Sequence, residues 1–197
     1  TDTEMTFYEE RENQFIFAGR LDKLKGIDLL FEAWKLMGVT APKLIVCGTG
    51  PMEDWCKSFL KENSDCNIEM RGFVPNKEAK NLIANSKALI LPTQWYEGFP
   101  MTIVEAFSVG TPVICSDLGN TGSVIEDNIN GVKFQYNSAE SLVQVVDQFE
   151  QMPREKLGKH AYMKYKNNYA QDKNYEILNK IYMSVSNRGT LVDSSLL

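Results

Sequence analysis

The 197-residue sequence predicts an α/β fold: a six-stranded, mostly parallel sheet held between two layers of helices. Short apolar runs alternate with segments of helical hydrophobic spacing, as a series of β-α units requires. The composition, 43% hydrophobic and 24% charged, is that of an ordinary globular protein. The length suffices for one well-packed domain, or one domain with an appendage.

Residues 15–18 read as the first strand, followed by the loop Gly19-Arg-Leu-Asp-Lys-Leu-Lys25-Gly26. Ile27, Leu30, Phe31, Trp34 and Met37 then recur on one face of a helix. Residues 43–47 form the second strand, and Pro51 suits the first position of the next helix. Residues 67–70 are a third strand, and Asn76 is placed to cap the helix that carries Leu82 and Ile83. Residues 88–91 are a fourth strand stopped by Pro92, and 101–109 a helix ended by Gly110. Strands five and six fall at 112–115 and 132–134, and a helix opens at Asn137 or Ser138 and runs to about residue 150. Two polar, Lys- and Tyr-rich helices follow Pro153, at about 154–169 and 172–184. The simplest partition is a lead-in over 1–13, a core domain over 14–152, a helical extension over 153–186 and a disordered tail over 187–197.

A net charge of −5 disfavours nucleic acid as a partner, since that needs a basic surface. An anionic ligand can still be held by local cations and backbone N–H groups. Cys47, Cys56, Cys66 and Cys115 show no C-x-x-C pairing, and the single histidine, His160, is remote from them, so a metal site is not expected. Cys47 and Cys115 sit in apolar runs as small hydrophobes, which suits a reducing, cytoplasmic setting. There is no signal peptide at the start and no apolar run of membrane-spanning length.

Ligands of open parallel sheets sit at the carboxyl ends of the strands, so the loops that follow strands carry the chemistry. Arg20 and Lys25, flanked by Gly19 and Gly26, suit a diphosphate, although a solvated loop with a basic pair has the same composition. Gly48-Thr-Gly50-Pro51 is an incomplete dinucleotide fingerprint, because the third glycine position is Glu53. It supports a tight turn or a close approach of backbone to ligand. Arg71-Gly-Phe73-Val74 is either a shelf for a planar base or an ordinary turn at the core edge.

The strongest segment is Gln94-Trp-Tyr-Glu97-Gly98-Phe99-Pro100, which leads into the helix at 101–109. The N-terminus of that helix is a site for phosphate oxygens. Glu97 can accept hydrogen bonds from sugar hydroxyls, and Glu105 from a ribose. Glu105 is flanked by Ile103, Val104, Ala106 and Phe107, where a carboxylate is costly unless a donor satisfies it.

In order and spacing these features resemble the C-terminal domain of family 4 (group 1) retaining glycosyltransferases, which have the GT-B architecture of two Rossmann-like domains. The carriers are Gly19-Arg20, Lys25-Gly26, Gly48-x-Gly50-Pro51, Arg71-Gly-Phe-Val74, Glu97-x7-Glu105, Gly110-x-Pro112-Val-Ile114 and Asn130-Gly131. The resemblance implies a Rossmann-like donor domain for a nucleoside diphosphate sugar such as a UDP-sugar, in polysaccharide or glycolipid synthesis. It implies that Arg20 and Lys25 neutralise the diphosphate and that Glu97, with Gly98 and Phe99, holds the donor sugar. Met101 and Thr102 N–H groups would bind phosphate and Glu105 the ribose, while Gly19, Gly50, Phe73, Val74 and Leu82 shape the nucleoside pocket.

The two carboxylates are then binding groups, not a nucleophile and acid. The resemblance further implies transfer of a hexose with retention, no cofactor and no metal. The acceptor-binding N-terminal domain would be a missing partner, without which this half is inactive. That half also leaves room for peripheral membrane association. A family histidine contributed by that domain has no counterpart here, and His160 reads as a surface residue. Gly119-Asn-Thr-Gly-Ser123 departs from the Gly-Gly pair and glutamate of many relatives. Two other readings are a non-catalytic nucleotide-sugar-binding module and an NAD-type dinucleotide domain, the latter disfavoured by the incomplete glycine fingerprint.

Overall fold

The computed structural model describes residues 11–189, with side chains to residue 185. Its six strands are β1 (Gln14–Ala18), β2 (Lys43–Cys47), β3 (Ile68–Gly72), β4 (Ala88–Leu91), β5 (Val113–Ser116) and β6 (Gly131–Phe134). Its eight helices are α1 (Ile27–Met37), α2 (Glu53–Glu62), α3 (Asn76–Ala84), α4 (Met101–Ser108), α5 (Gly119–Val124), α6 (Ala139–Phe149), α7 (Arg154–Asn168) and α8 (Gln171–Gly189). The sheet order is β3-β2-β1-β4-β5-β6 and every pairing between strands is parallel. That is the doubly wound Rossmann order, whose direction reverses between β1 and β4.

Alternation along the strands divides the core. Phe15, Phe17, Leu44, Val46, Ala88 and Ile90 pack in one cluster with buried residues of α1, α2 and α6. Ile16, Ile45, Cys47, Leu89, Leu91, Val113 and Cys115 pack in the other with residues of α3, α4 and α7. A strand buried on both faces is apolar throughout, which is why these runs do not alternate with polar residues. Trp34 and Phe149 meet Phe15 edge-on, with centroids 6.2 and 5.8 Å away. The Trp34 indole N–H donates to Pro42 O at 2.8 Å, so its burial leaves no polar atom unpaired.

Several element ends differ from expectation for identifiable reasons. Pro51 does not open α2; Met52 N donates to Leu21 O at 3.0 Å, and this tie to the first loop delays the helix until Glu53. Asn76 is the first residue of α3 and not its cap, because Pro75 occupies the cap in an extended conformation (ψ 146°) and makes no side-chain hydrogen bond there. Ser138 does cap α6, accepting from Ser141 N. The short helix α5 lies in a stretch with no helical pattern.

The extension is not detached from the core. Helix α7 buries Leu157, Gly158 and Ala161, and a Cβ on Gly158 would meet Gly110 O at 2.5 Å, so α7 lies close against the end of α4. Of the tail, 187–189 continue α8. Residues 190–197, and 1–10 of the lead-in, lie outside the described residues. No helix among the described residues is long and apolar enough to cross a membrane.

Candidate functional site

The site is built where the chain leaves β1 and β4, neighbours in the sheet but far apart in sequence. After β1, Asp22 caps a short 3-10 turn over Lys23–Lys25, its Oδ1 accepting from Lys25 N at 2.9 Å. Gly26 follows with φ 71°, and a Cβ there would stand 1.8 Å from Pro92 O. Only glycine combines that left-handed backbone with so close an approach. The loop after β1 is thereby pressed onto the exit of β4. Gln94 N donates to Leu24 O at 2.7 Å, and Thr93 Oγ1 lies 3.2 Å from the same oxygen.

This seam brings Lys25 Nζ to 2.8 Å from Glu97 Oε1. The Thr93 hydroxyl donates to the same carboxylate oxygen at 2.9 Å. The Glu97 side chain is 19% exposed and that of Lys25 37%, so both reach solvent while protein fixes their position. Lys25, expected at the diphosphate, and Glu97, expected at the donor sugar, form one ion pair. Arg20 is more open, its Nε 3.3 Å from Asp22 Oδ2 and its side chain 67% exposed.

Two adjoining cavities share Ala18, Gly19 and Thr102. The smaller, about 30 Å³, contains Lys25, Thr93, Glu97 and Pro100. The larger, about 310 Å³, runs from Gly19 and Arg20 past Gly48 and Thr49 to Phe73, Val74, Asn76 and Glu105. Gly19, Arg20, Lys25, Phe73, Val74, Glu97, Thr102 and Glu105 are thus gathered from three strand exits, those of β1, β3 and β4, into one groove of two adjoining cavities. Phe73, which lines the larger cavity, is 76% exposed.

Gly50, Leu82, Gly98, Phe99 and Met101 line neither of these two cavities. A Cβ on Gly50 would lie 2.4 Å from Leu21 O, so its smallness serves packing against the first loop. Leu82 packs against the core beneath α3. Phe99 turns away to meet Tyr169 edge-on, with centroids 5.8 Å apart. Met101 N donates to Phe99 O at 3.0 Å and Ile103 N to Pro100 O at 3.0 Å. Of the two amides expected to hold phosphate, Thr102 is the one whose residue lines the groove.

Glu105 also differs in setting from expectation. Its neighbours Ile103, Ala106 and Phe107 are buried, but Glu105 itself lines the groove and reaches solvent. The apolar flanks therefore do not bury it. They still strip part of its hydration, and this desolvation raises its pKa above the ordinary carboxylate value, against a smaller lowering by Lys80. Cys47 lines the same groove as a thiol pushed up to about 11 by burial, so it contributes surface and not a thiolate.

Thr93, Asn76 and Asn120 are residues of the site that sequence reasoning passed over. Thr93 had a signal available, since it follows the strand-ending Pro92 and precedes Glu97 by one helical spacing. Asn120 lies in the segment 119–123 already marked as a departure from the family pattern, but its contact with the Glu97 loop, Nδ2 donating to Glu97 O and Gly98 O, depends on how two loops dock. His160 lies outside the groove, with Nδ1 3.2 Å from Ile129 O.

The family model of glycosyl transferases group 1 matches residues 3–167. The putative teichuronic acid biosynthesis glycosyltransferase TuaC of Bacillus subtilis is 27% identical over 173 residues, 87% of this chain and 42% of that protein. An uncharacterized 41.2 kDa protein in the cps region of Klebsiella pneumoniae is 29% identical over 139 residues, 71% of this chain and 37% of that one. The chain therefore spans less than half the length of these curated relatives.

Among solved structures, Anabaena Alr3699/HepE in complex with UDP superposes with a TM-score of 0.76 at 17% identity, over 89% of this chain and 50% of that one. A sucrose-phosphate synthase from Thermosynechococcus elongatus gives 0.78 at 18% identity, over 92% of this chain and 47% of that one. At such identities the structures establish a shared fold, while the family match covers most of the sequence. On that match, the chain belongs to the group 1 glycosyl transferases.

Proposed function

We propose that this chain is the donor-binding domain of a retaining glycosyltransferase that moves a hexose from a nucleoside diphosphate sugar to an acceptor in polysaccharide or glycolipid synthesis. The observation that carries the reading is the joining of the Lys25–Glu97 cavity to the Glu105 cleft across the point where strand order reverses. A nucleoside fits the larger cleft, with its base against Phe73 and Val74 and its ribose hydroxyls donating to Glu105. The diphosphate then crosses Gly19 and Thr102 into reach of Arg20 and Lys25, and the sugar lies toward Glu97. UDP-sugars are the first donors to consider, since the HepE relative is seen with UDP and with UDP-glucose.

Chemically, the leaving group of the transfer is the nucleoside diphosphate, whose charge grows as the glycosidic bond breaks. Lys25 stabilises that charge at the pyrophosphate and Arg20 adds a second cation, the role a divalent metal fills elsewhere. Lys25 is paired with Glu97. A diphosphate draws Lys25 toward itself and frees a Glu97 oxygen to accept sugar hydroxyls, so donor binding and sugar recognition are coupled through one ion pair. No side chain is required as a covalent nucleophile. The acceptor and the remainder of the cleft come from an N-terminal domain, so this domain alone binds donor without transferring it. The four free cysteines suit a cytoplasmic site of action.

Calorimetric titration with UDP, GDP, ADP and NAD, in the absence of metal, tests the reading. Binding of a nucleoside diphosphate that Glu105→Gln and Lys25→Met each weaken supports it. Binding of NAD in preference to every nucleoside diphosphate, or of none of the four, refutes it.

A further inference from the structure

The loop that carries Glu97 is held from two directions. Its side chain is fixed by Lys25 and Thr93. Its backbone is fixed from the end of β5 and the start of α5. The Ser116 hydroxyl donates to Thr93 O at 2.7 Å, where the loop begins. The ring of Tyr96 lies over Gly119, with Cδ1 2.6 Å from where a Cβ on that glycine would stand. At the tip, the Asn120 carboxamide Nδ2 donates to both Glu97 O at 3.0 Å and Gly98 O at 2.6 Å. A Cβ built on Gly98 would meet no atom within 4 Å, so the tip of the loop faces open space on that side.

From this geometry we infer that Asn120 is a positioning residue for the sugar end of the donor site. One amide nitrogen bridges two successive carbonyls of a glycine-containing tip, and so sets the backbone angle from which the Glu97 carboxylate projects. Asn120 lines neither the cleft that would take the nucleoside nor the cavity around Lys25. Its influence on ligand therefore passes through Glu97, and sugar recognition should feel it while nucleotide recognition does not. Glutamine is too long for the same bridge, and aspartate places an acceptor opposite two acceptors. The inference rests on the donor-binding reading of Glu97 above.

The experiment is calorimetry on this chain with UDP, GDP and ADP and with the glucose conjugate of each, comparing wild type, Asn120→Ala, Asn120→Asp and Glu97→Gln. Asn120→Ala should weaken the preferred sugar conjugate about fivefold, roughly one lost hydrogen bond, and leave its parent nucleoside diphosphate within twofold. Asn120→Asp should weaken the conjugate further and speed amide hydrogen exchange at residues 94–99. Equal losses for conjugate and parent, or no loss for either, overturn the inference.

Glu97→Gln separates the two levels of the argument. If it lowers discrimination between conjugate and parent while the Asn120 variants do not, the Asn120 inference alone falls. If it leaves discrimination unchanged, the sugar-binding reading of Glu97 falls and takes the inference with it. Asn120 is exposed, so both substitutions leave the core intact.

Discussion

Replacing Lys25 by methionine keeps an unbranched side chain, one atom shorter, and removes its charge. In the empty domain the substitution deprives Glu97 of a partner at 2.8 Å. Fully exposed ion pairs contribute about 0.2–1 kcal/mol, and removing one partner of a buried pair costs about 3–5 kcal/mol. With side chains 37% and 19% exposed and the Thr93 hydroxyl still donating to Glu97, the loss belongs near the lower range, about 1 kcal/mol.

Binding should suffer more than stability. A unit charge pair at 4 Å in an effective dielectric of 20 attracts by about 4 kcal/mol. Part of that is offset, because Lys25 must relax its contact with Glu97 to serve the diphosphate. A net loss of about 1.5–3 kcal/mol corresponds to a Kd raised roughly 10- to 150-fold. Calorimetry at about 0.1 M salt, where the Debye length is about 10 Å, measures it, with a urea melt of the same sample fixing the stability term. A nucleoside diphosphate Kd within twofold of wild type would mean that Lys25 serves only the ion pair. The coupled arrangement proposed above would then be wrong.

Three further outcomes follow from the same geometry. Gly26→Ala should cost about 2–4 kcal/mol in a urea melt, because a left-handed backbone and contact with Pro92 O are both violated, and it should weaken nucleotide binding by displacing Lys25. Gly158→Val should cost about 1–3 kcal/mol by forcing α7 off Gly110, with nucleotide affinity per folded molecule unchanged. Glu105 binds a proton more readily when folded than when unfolded, so its contribution favours the folded state at low pH and is lost as pH rises through its two pKa values. Glu105→Gln should therefore stabilise the empty domain at neutral pH while weakening nucleotide binding. In the wild type, ribose hydroxyls prefer the ionised carboxylate, so affinity should fall as pH drops through the raised pKa. A calorimetric pH series that is flat for wild type and variant alike would count against Glu105 as the ribose acceptor.

The elements readable from sequence are those whose residues answer to their own neighbours. β1, β2 and β4 are continuous apolar runs because both faces are covered, and α1 shows its buried stripe through Ile27, Leu30, Phe31 and Trp34. Helix α5 escaped notice because Gly119, Asn120, Thr121, Gly122 and Ser123 are all poor helix formers. It forms because Thr121, Gly122 and Val124 are buried against the end of β5, a tertiary cause that leaves no periodic trace. The same distinction governs the site. Arg20, Lys25, Glu97 and Glu105 advertise themselves as charged groups on strand-following loops. That Lys25 should touch Glu97, or that Phe99 should turn to Tyr169, depends on how two loops dock.

The docking of those loops also explains why the site tolerates its own electrostatics. A lysine and a glutamate held at 2.8 Å neutralise each other while no ligand is present, so the empty groove is spared an unpaired charge in a half-buried place. Neither member is deeply buried, so the exchange proposed above, Glu97 for a phosphate oxygen on Lys25, would replace one contact with a similar one at small net cost. A fully buried pair would resist that exchange, and a fully exposed pair would not be held in register for it. Gly26 lets the first loop lie on Pro92, and in the proposed exchange the Thr93 hydroxyl is what holds Glu97 once Lys25 turns to the diphosphate. Thr93→Val should therefore cost little in the empty domain, where Lys25 still holds Glu97, and more in the complex, where the hydroxyl remains as its side-chain anchor. The predicted asymmetry is about 1 kcal/mol, one hydrogen bond, expressed as a selective loss of affinity for the sugar conjugate. Equal effects on the stability of the empty domain and on conjugate binding would show that Glu97 does not change partners when the donor arrives.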